Sequence, residues 1–234
     1  MTVELSPIGH IRSCFDEKFG IPRQAGLVVE ARSTLELVSP YDEDEAVRGL
    51  ERFSHGWVIF GFHGCPPGQW SPTVRPPRLG GNTRWGVFAS RSPFRPNGLG
   101  LSLAQIIAVE RRTGILCIDL AGLDVMDGTP VYDLKPYLPY ADAMPEATSP
   151  FAAPPLLEGS IHWSADATVG RRAVEAAHPE FGQVVEGLLR CDPRPAYARG
   201  EGRARRYGVR VFGADIGWTM KGDEIHVESV RVDP

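Results

Sequence analysis

Trp57-Val-Ile-Phe-Gly-Phe62 is a continuous apolar run of strand length, and Pro66-Pro67-Gly68 closes it with a turn signal. Similar short runs lie on both sides. Leu27–Ala31 and Thr34–Val38 precede it, and Gly86–Ala89, Leu101–Val109 and Ile115–Ala121 follow. The last alternates apolar and polar residues. Turn residues separate the runs at Ser39-Pro40, Gly80-Gly81-Asn82, Thr113-Gly114 and Asp127-Gly128. Short strands at such spacing predict a β-barrel or sandwich over the first 140 residues. One short helix is expected at Asp42–Leu50, where the acidic Asp42, Glu43, Asp44 and Glu45 complement the positive end of the helix dipole.

Composition agrees. The 234 residues include 26 Gly and 21 Pro, an excess that excludes a helical bundle, because both residues are poor in helix interiors. The 42% hydrophobic content excludes a disordered chain. No run of about 20 apolar residues exists to span a membrane, and Met1–His10 has no basic region leading into an apolar core. Cys14, Cys65, Cys117 and Cys191 are far apart and fit no CxxC motif, so free thiols in a reducing cytoplasm are expected.

Beyond residue 140 the pattern changes. Residues 141–157 are rich in Ala and Pro without a period and read as a linker. Residues 158–234 then read as a small α/β unit. A helix is expected at Val169–Ala177, and a second one starts at Pro179. Phe181, Val184, Val185, Leu188 and Leu189 form the apolar face of the second helix. The strand Tyr207–Phe212 and a hairpin pairing Ile216–Met220 with Glu224–Val230 complete the unit. The expected fold is thus a mainly β first half, a barrel or a sandwich, followed by a small α/β domain.

The net charge of −4 argues against a nucleic-acid partner, but its distribution argues for one. All 25 basic residues are Arg except Lys18, Lys135 and Lys221. Phe53–Val109 contains no Asp or Glu, yet holds Arg75, Arg78, Arg84, Arg91 and Arg95. Arg190–Arg210 carries seven Arg against Asp192 and Glu201. The two stretches together carry +10, which leaves −14 on the rest. Arg binds phosphate and carboxylate bidentately and stacks on bases, although an Arg-rich composition also follows from a GC-rich genome.

Several site types fit poorly. His55, His63 and Cys65 lie close together, and the last two share a face if the strand continues that far, but no fourth metal ligand accompanies them. Gly98-Leu-Gly100 lacks the third glycine and the strand–turn–helix context of a dinucleotide site. No GxSxG elbow marks a hydrolase nucleophile.

Three clusters remain. Arg75–Ser102 interleaves Trp85, Phe88 and Phe94 with arginines on a rigid Pro/Gly backbone. Leu123–Tyr137 groups Asp124, Asp127 and Asp133 with Lys135 and two tyrosines. If this segment is a strand, Asp133 and Lys135 share a face as a structural ion pair or as reactive groups. Asp192-Pro-Arg-Pro-Ala-Tyr-Ala-Arg199 is an exposed linker or an RNA-contacting platform.

These motifs occur together in one family. Ile8–Ser13, Lys18–Leu27, Arg48–His55, Arg75–Ser102, Asp127–Tyr137 and Asp192–Tyr197 resemble, in order and nearly end to end, the TsaA-like (TrmO) family of bacterial tRNA (adenine-37, N6) methyltransferases. Ser90 stands where that family often has Thr, Gly98-Leu99 where Pro-Ile is common, and Gly64 where a glutamine is familiar.

The resemblance implies an N-terminal β-barrel that binds S-adenosylmethionine, a C-terminal domain that helps to bind tRNA, and a homodimer. The implied substrate is N6-threonylcarbamoyladenosine at position 37, beside the anticodon. The matching cofactor positions are Pro22, Arg23, Gln24, His63, Gly64, Arg91, Leu101 and the turn Asp124, Val125, Met126, Asp127. The acceptor nitrogen is conjugated and weakly nucleophilic, so a base or polarising group is needed, and Asp133, Lys135 and Tyr137 are the candidates. Arg84, Arg95, Arg194, Tyr197 and Arg199 are candidates for contact with RNA or with the threonyl carboxylate. No metal is expected. A methyltransferase acting on a small molecule and a non-catalytic RNA-binding module are the alternatives.

Overall fold

The computed structural model describes residues 3–65, 68–76, 83–151, 156–194 and 205–232. Twelve strands and three α-helices are found among them. The strands β1 (Gly9–Ser13), β2 (Arg32–Leu37), β3 (His55–Gly61), β6 (Leu99–Arg112), β7 (Ile115–Ala121) and β8 (Pro130–Pro136) close into a barrel. The order around it is β1-β2-β7-β6-β3-β8, and every pairing is antiparallel. A two-stranded ribbon, β4 (Thr73–Val74) with β5 (Trp85–Gly86), stands apart from the barrel sheet.

Alternation builds the barrel core. Along β3, Val58 and Phe60 point inward, and along β6, Ser102, Ala104 and Ile106 do so. Ile11, Leu35, Ile118, Leu120 and Val131 join them from the other strands. Gly100 is where β6 meets the Phe60 ring. A Cβ at Gly100 falls 2.3 Å from that ring, an overlap no rotamer change of a packed Phe relieves. Gly100→Ala is therefore expected to destabilise the protein by about 1–3 kcal/mol through overpacking, as read from a urea denaturation midpoint.

The second sheet runs β10 (Tyr207–Val211), β11 (Ala214–Lys221), β12 (Glu224–Val232), β9 (Ile161–Trp163). The β12–β9 pair is parallel and the others are antiparallel. Two helices accompany it, α2 (Ala165–Glu175) and α3 (Phe181–Arg190), while α1 (Pro139–Asp142) is a single turn after the barrel. Ser164 caps α2, its Oγ accepting from the Ala167 amide at 3.0 Å. The expected apolar face of α3 is fully inside: Phe181, Val184, Val185, Leu188 and Leu189 are all buried.

The structure departs from the expectations in several places, and α2, expected from Val169 to Ala177, runs from Ala165 to Glu175. Leu27–Ala31 is a connector and not a strand, with Ala31 N–H turning back to the Val28 carbonyl. The helix expected at Asp42–Leu50 is two short 3-10 turns, Asp44–Val47 and Leu50–Arg52. Gly49 interrupts them at φ +89°, a left-handed conformation outside any right-handed helix. Gly86–Ala89 divides into the end of β5 and one 3-10 turn. Pro179 lies before α3, which starts at Phe181 behind the cap residue Glu180.

One connection ties the two sheets together. The segment between β1 and β2 sends Cys14, Phe15, Val28 and Ala31 into the core of the C-terminal sheet, beside Trp218 and Leu189. Backbone bonds reinforce the contact: the Phe212 amide donates to the Cys14 carbonyl at 2.9 Å. The Gly213 amide donates to Asp16 Oδ2 at 2.8 Å. Burial pushes the Cys14 thiol up to about 12, so it stays protonated and apolar in that core.

Candidate functional site

The connector that packs on the C-terminal sheet also carries Lys18 and Pro22–Gln24 to the barrel rim. There β3 ends, β6 begins and the loop 122–129 crosses from β7 to β8. A cavity of about 730 Å3 lies at this rim. Trp57 and Ile59 of β3 and Leu101 of β6 supply an apolar wall on the outside of the barrel. Leu101 is 54% exposed, which is unusual for a leucine on a structured strand. Asp124, Val125 and Met126 enter from the β7–β8 loop, His63 and Gly64 from the turn after β3, and Arg91 from the loop after β5.

Asp124 is the acid of this cavity. Its Oδ1 accepts from Ser102 Oγ at 2.5 Å. Burial holds its carboxyl above the ordinary range, and the Ser102 hydrogen bond and the Arg91 charge only partly oppose this. Ser102 was not among the sequence candidates. Its signal is a hydroxyl at an inward position of an otherwise apolar strand, which demands a partner.

His63 is oriented from below. The Thr129 hydroxyl donates to the Met126 carbonyl at 2.6 Å and so accepts from His63 Nδ1 at 3.3 Å, which leaves Nε2 as an acceptor. Burial also lowers the His63 pKa, and this favours the neutral ring. The strand ends at Gly61 and Cys65 turns back to the Phe62 carbonyl, so His63 and Cys65 do not share a strand face. Gly64 makes room for Lys18: a Cβ at Gly64 would stand 2.7 Å from Lys18 Cε. Lys18 is a second residue the sequence reading left without a role.

Asp127 lines neither this cavity nor its neighbour. Its Oδ1 accepts from the Ser13 amide at 2.9 Å and its own amide donates to the Phe15 carbonyl, so it fastens the loop to β1 and the connector.

A larger cavity of about 1310 Å3 adjoins the first. The two share the wall formed by Arg23, Gln24, Ser90, Arg91 and Pro93. Arg91 Nη1 donates to Gln24 Oε1 at 2.5 Å across that wall. Four arginines, Arg23, Arg75, Arg84 and Arg91, line the larger cavity, and no described Asp or Glu does. Phe88 and Phe94 line it as well, 75% and 42% exposed. Phe151, in the segment read as a linker, closes one side with its ring 5.9 Å from that of Trp85.

The remaining candidates are placed as follows. Asp133 and Lys135 lie on β8, directly across from Ile59 and Trp57. Opposed residues of a ladder share a face, so both stand on the outer barrel surface beside the apolar wall, without lining the cavity. They pair with each other at 3.2 Å. The Tyr137 ring lies 6.0 Å from that of Trp57. Arg84 is exposed at the larger cavity. Arg95 Nη1 donates to the carbonyls of Val87 at 3.2 Å and Ser90 at 2.8 Å, a use that holds the loop in shape. Arg194 forms a bidentate pair with Asp192 at 2.7 and 3.1 Å, and both side chains are largely covered. Tyr197 and Arg199 lie outside the described residues.

The donor set has a clear chemical sense. The small cavity offers a carboxylate, guanidinium groups and an apolar wall, the complement of a ligand with an ammonium, a carboxylate and a flat apolar ring. Its volume suits such a ligand, since small-molecule sites span about 300–1,000 Å3.

Comparison with known proteins places this geometry. Residues 10–143 match the tRNA-methyltransferase O N-terminal domain, and residues 157–233 match the TrmO C-terminal domain. The chain is 44% identical over 218 residues to the tRNA (adenine(37)-N6)-methyltransferase of Escherichia coli, covering 93% of each protein. It is 47% identical over 221 residues to a Pseudomonas aeruginosa protein named "Putative S-adenosylmethionine-dependent methyltransferase RcsF", again covering 93% of each. The crystal structure of TrmO from Pseudomonas aeruginosa superposes with a TM-score of 0.80 at 39% identity, covering 99% of this chain and all of that one. With both halves matched in order, and a relative this similar over nearly its whole length, the chain belongs to the tRNA-methyltransferase O family.

Proposed function

We propose that this protein transfers a methyl group from S-adenosylmethionine to N6 of N6-threonylcarbamoyladenosine at position 37 of tRNA. In this reading residues 1–140 bind the cofactor and carry the chemistry. Residues 158–234 contribute to tRNA binding, and the protein acts as a homodimer in the cytoplasm, where its substrate is. The observation that carries the proposal is the pair of adjoining cavities: the smaller sets the buried Asp124 among Lys18, Arg23, Arg91 and Arg95, and the larger is lined by Arg23, Arg75, Arg84 and Arg91 with no described acid. In addition, no helix among the described residues is long and apolar enough to cross a membrane.

The residues take roles from their chemistry. Asp124 faces the cofactor's ammonium or ribose hydroxyls, and Arg23 or Arg91 its carboxylate. Trp57, Ile59 and Leu101 form the apolar wall against the adenine. Pro22, Gln24, His63, Gly64, Val125 and Met126 complete the enclosure, and Asp127 acts from behind by fixing the loop. When bound, the cofactor supplies an electrophilic methyl group. Displacement at that carbon needs the acceptor nitrogen in line, so rigid placement of both reactants supplies much of the acceleration.

The nitrogen must also lose its proton. Of the three candidates, only the Asp133 carboxylate accepts a proton as it stands. Lys135, as an ammonium, polarises the adjacent carbonyl or balances Asp133, and Tyr137 steadies Trp57.

The test supplies radiolabelled S-adenosylmethionine and two forms of one ANN-decoding tRNA, with and without the threonylcarbamoyl group. Label is expected in the modified tRNA alone, and equal labelling of both forms would refute the substrate. Failure to bind S-adenosylmethionine by calorimetry at millimolar ligand would favour a non-catalytic RNA-binding module. Labelling of small nucleosides in preference to tRNA would favour a small-molecule enzyme. Sedimentation equilibrium checks the dimer.

A further inference from the structure

The large cavity contains a feature that cofactor binding does not use. In the ribbon, Thr73 pairs with Gly86 and Val74 with Trp85. The same register carried one step further sets Arg75 opposite Arg84. Both are exposed, both line the large cavity, and neither forms an ion pair with any described residue. Like charges at opposed positions of a ladder repel. No acid is close in sequence to relieve them, since Phe53–Val109 contains no Asp or Glu. The neighbouring arginines are engaged elsewhere: Arg91 bonds Gln24 and Arg95 bonds loop carbonyls. Two guanidinium groups without an ion-pair partner among the described residues, beside a cavity rimmed by exposed aromatic rings, make a setting that attracts an anion.

We propose that Arg75 and Arg84 form a two-guanidinium clamp for an anionic group of the acceptor substrate, a carboxylate or a phosphate. The proposal deepens the reading of the protein as an RNA methyltransferase and rests on it. The clamp lines the larger cavity alone, and the wall of Arg23, Gln24 and Arg91 lies between it and the cavity that holds Asp124. The anion has two possible sources in a modified RNA, the carboxylate of the threonylcarbamoyl group or a backbone phosphate.

Three synthetic anticodon stem-loops separate these sources: one carrying threonylcarbamoyladenosine, one carrying its methyl ester, and one with plain adenosine. Affinities of the full-length protein and of an R75Q/R84Q variant are measured against all three. If the clamp holds the carboxylate, the unsubstituted protein prefers acid to ester by about tenfold or more, and the variant loses that preference. If it holds a phosphate, the variant weakens all three loops by one common factor. The slope of log affinity against log salt then falls by about 0.7–0.9 for each phosphate that the variant leaves unneutralised.

An R75K/R84K variant keeps the charge, so it should recover the salt slope if the anion is a phosphate and fail to recover the full discrimination between acid and ester if it is the carboxylate. Cofactor affinity of each variant, expected to be unchanged, shows that the fold is intact. Unchanged affinity and salt dependence on all three loops would overturn the clamp. Failure of the unsubstituted protein to methylate any loop would overturn the parent reading instead, while the affinity comparison still decides the clamp.

Discussion

Asp124→Asn is expected to weaken S-adenosylmethionine binding by roughly 10–150-fold, the effect of removing a charge-assisted hydrogen bond of about 1.5–3 kcal/mol, while leaving thermal stability unchanged or slightly raised. The two effects have opposite causes. Ionised Asp124 is costly to bury, and for that reason its carboxyl sits above the ordinary range. With a folded pKa above the unfolded one, its contribution to stability is greatest at low pH and is lost as pH rises through the folded value. Asn removes that cost and still accepts from Ser102.

Binding of a cationic amine follows the opposite trend, because only the ionised carboxylate attracts it. Cofactor affinity of the unsubstituted protein is thus expected to fall as pH is lowered, beginning above the range of an ordinary aspartate, and the D124N variant is expected to lose that dependence. Calorimetric titrations at a series of pH values, with thermal melts alongside, check both. Wild-type affinity in D124N would remove Asp124 from the cofactor site.

Phe15→Ala is the second large effect. Phe15 is 2% exposed and belongs to the C-terminal core, although it follows the first barrel strand in sequence. Truncating a buried Phe costs about 3–5 kcal/mol. The loss should appear in denaturant unfolding of the whole chain. It should also weaken cofactor binding under conditions where the protein is still folded, although Phe15 lines neither cavity. The route is short: the Phe15 carbonyl accepts from the Asp127 amide, and the same connector continues to Lys18 and Pro22–Gln24. Undiminished cofactor affinity in a folded F15A protein would show that the connector holds its shape without the C-terminal sheet.

The coupling of the two units bears on the arginine-rich C-terminal stretch. Arg194 stands in that stretch and looked suited to RNA. Its bidentate pair with the largely covered Asp192 makes it a structural residue as well. Substituting it would remove the bidentate partner of a covered carboxylate, so a loss of tRNA binding in such a variant would have to be weighed against a loss of stability.

Much of the barrel was legible in the chain. Trp57–Phe62, Leu101–Val109 and Ile115–Ala121 lie in β3, β6 and β7 or within a residue of their ends, because strands with one face inside a barrel must alternate or run apolar. The apolar face of α3 was legible for the same reason at a period of 3.6. Leu27–Ala31 misled because Val28 and Ala31 are apolar for a core that lies elsewhere in the sequence. The strand β1 passed unnoticed because Gly9–Ser13 places only Gly9 and Ile11 inside among His10 and Arg12.

The sequence by itself determined the many-stranded first half, the segregation of arginines from acids, and the family motifs that point to a methyltransferase. Each depends on residue type and short spacing, which a linear chain displays directly. Only the tertiary structure decided that Asp124 shares a cavity with Arg23 and Arg91 while Arg75 and Arg84 line the adjoining one, and that Asp133 and Lys135 stand outside both. It also decided that Lys18 and Pro22–Gln24 ride on a connector held by the distant C-terminal core. These are outcomes of strand register and barrel closure, which bring together residues far apart in the chain and leave no local trace in it.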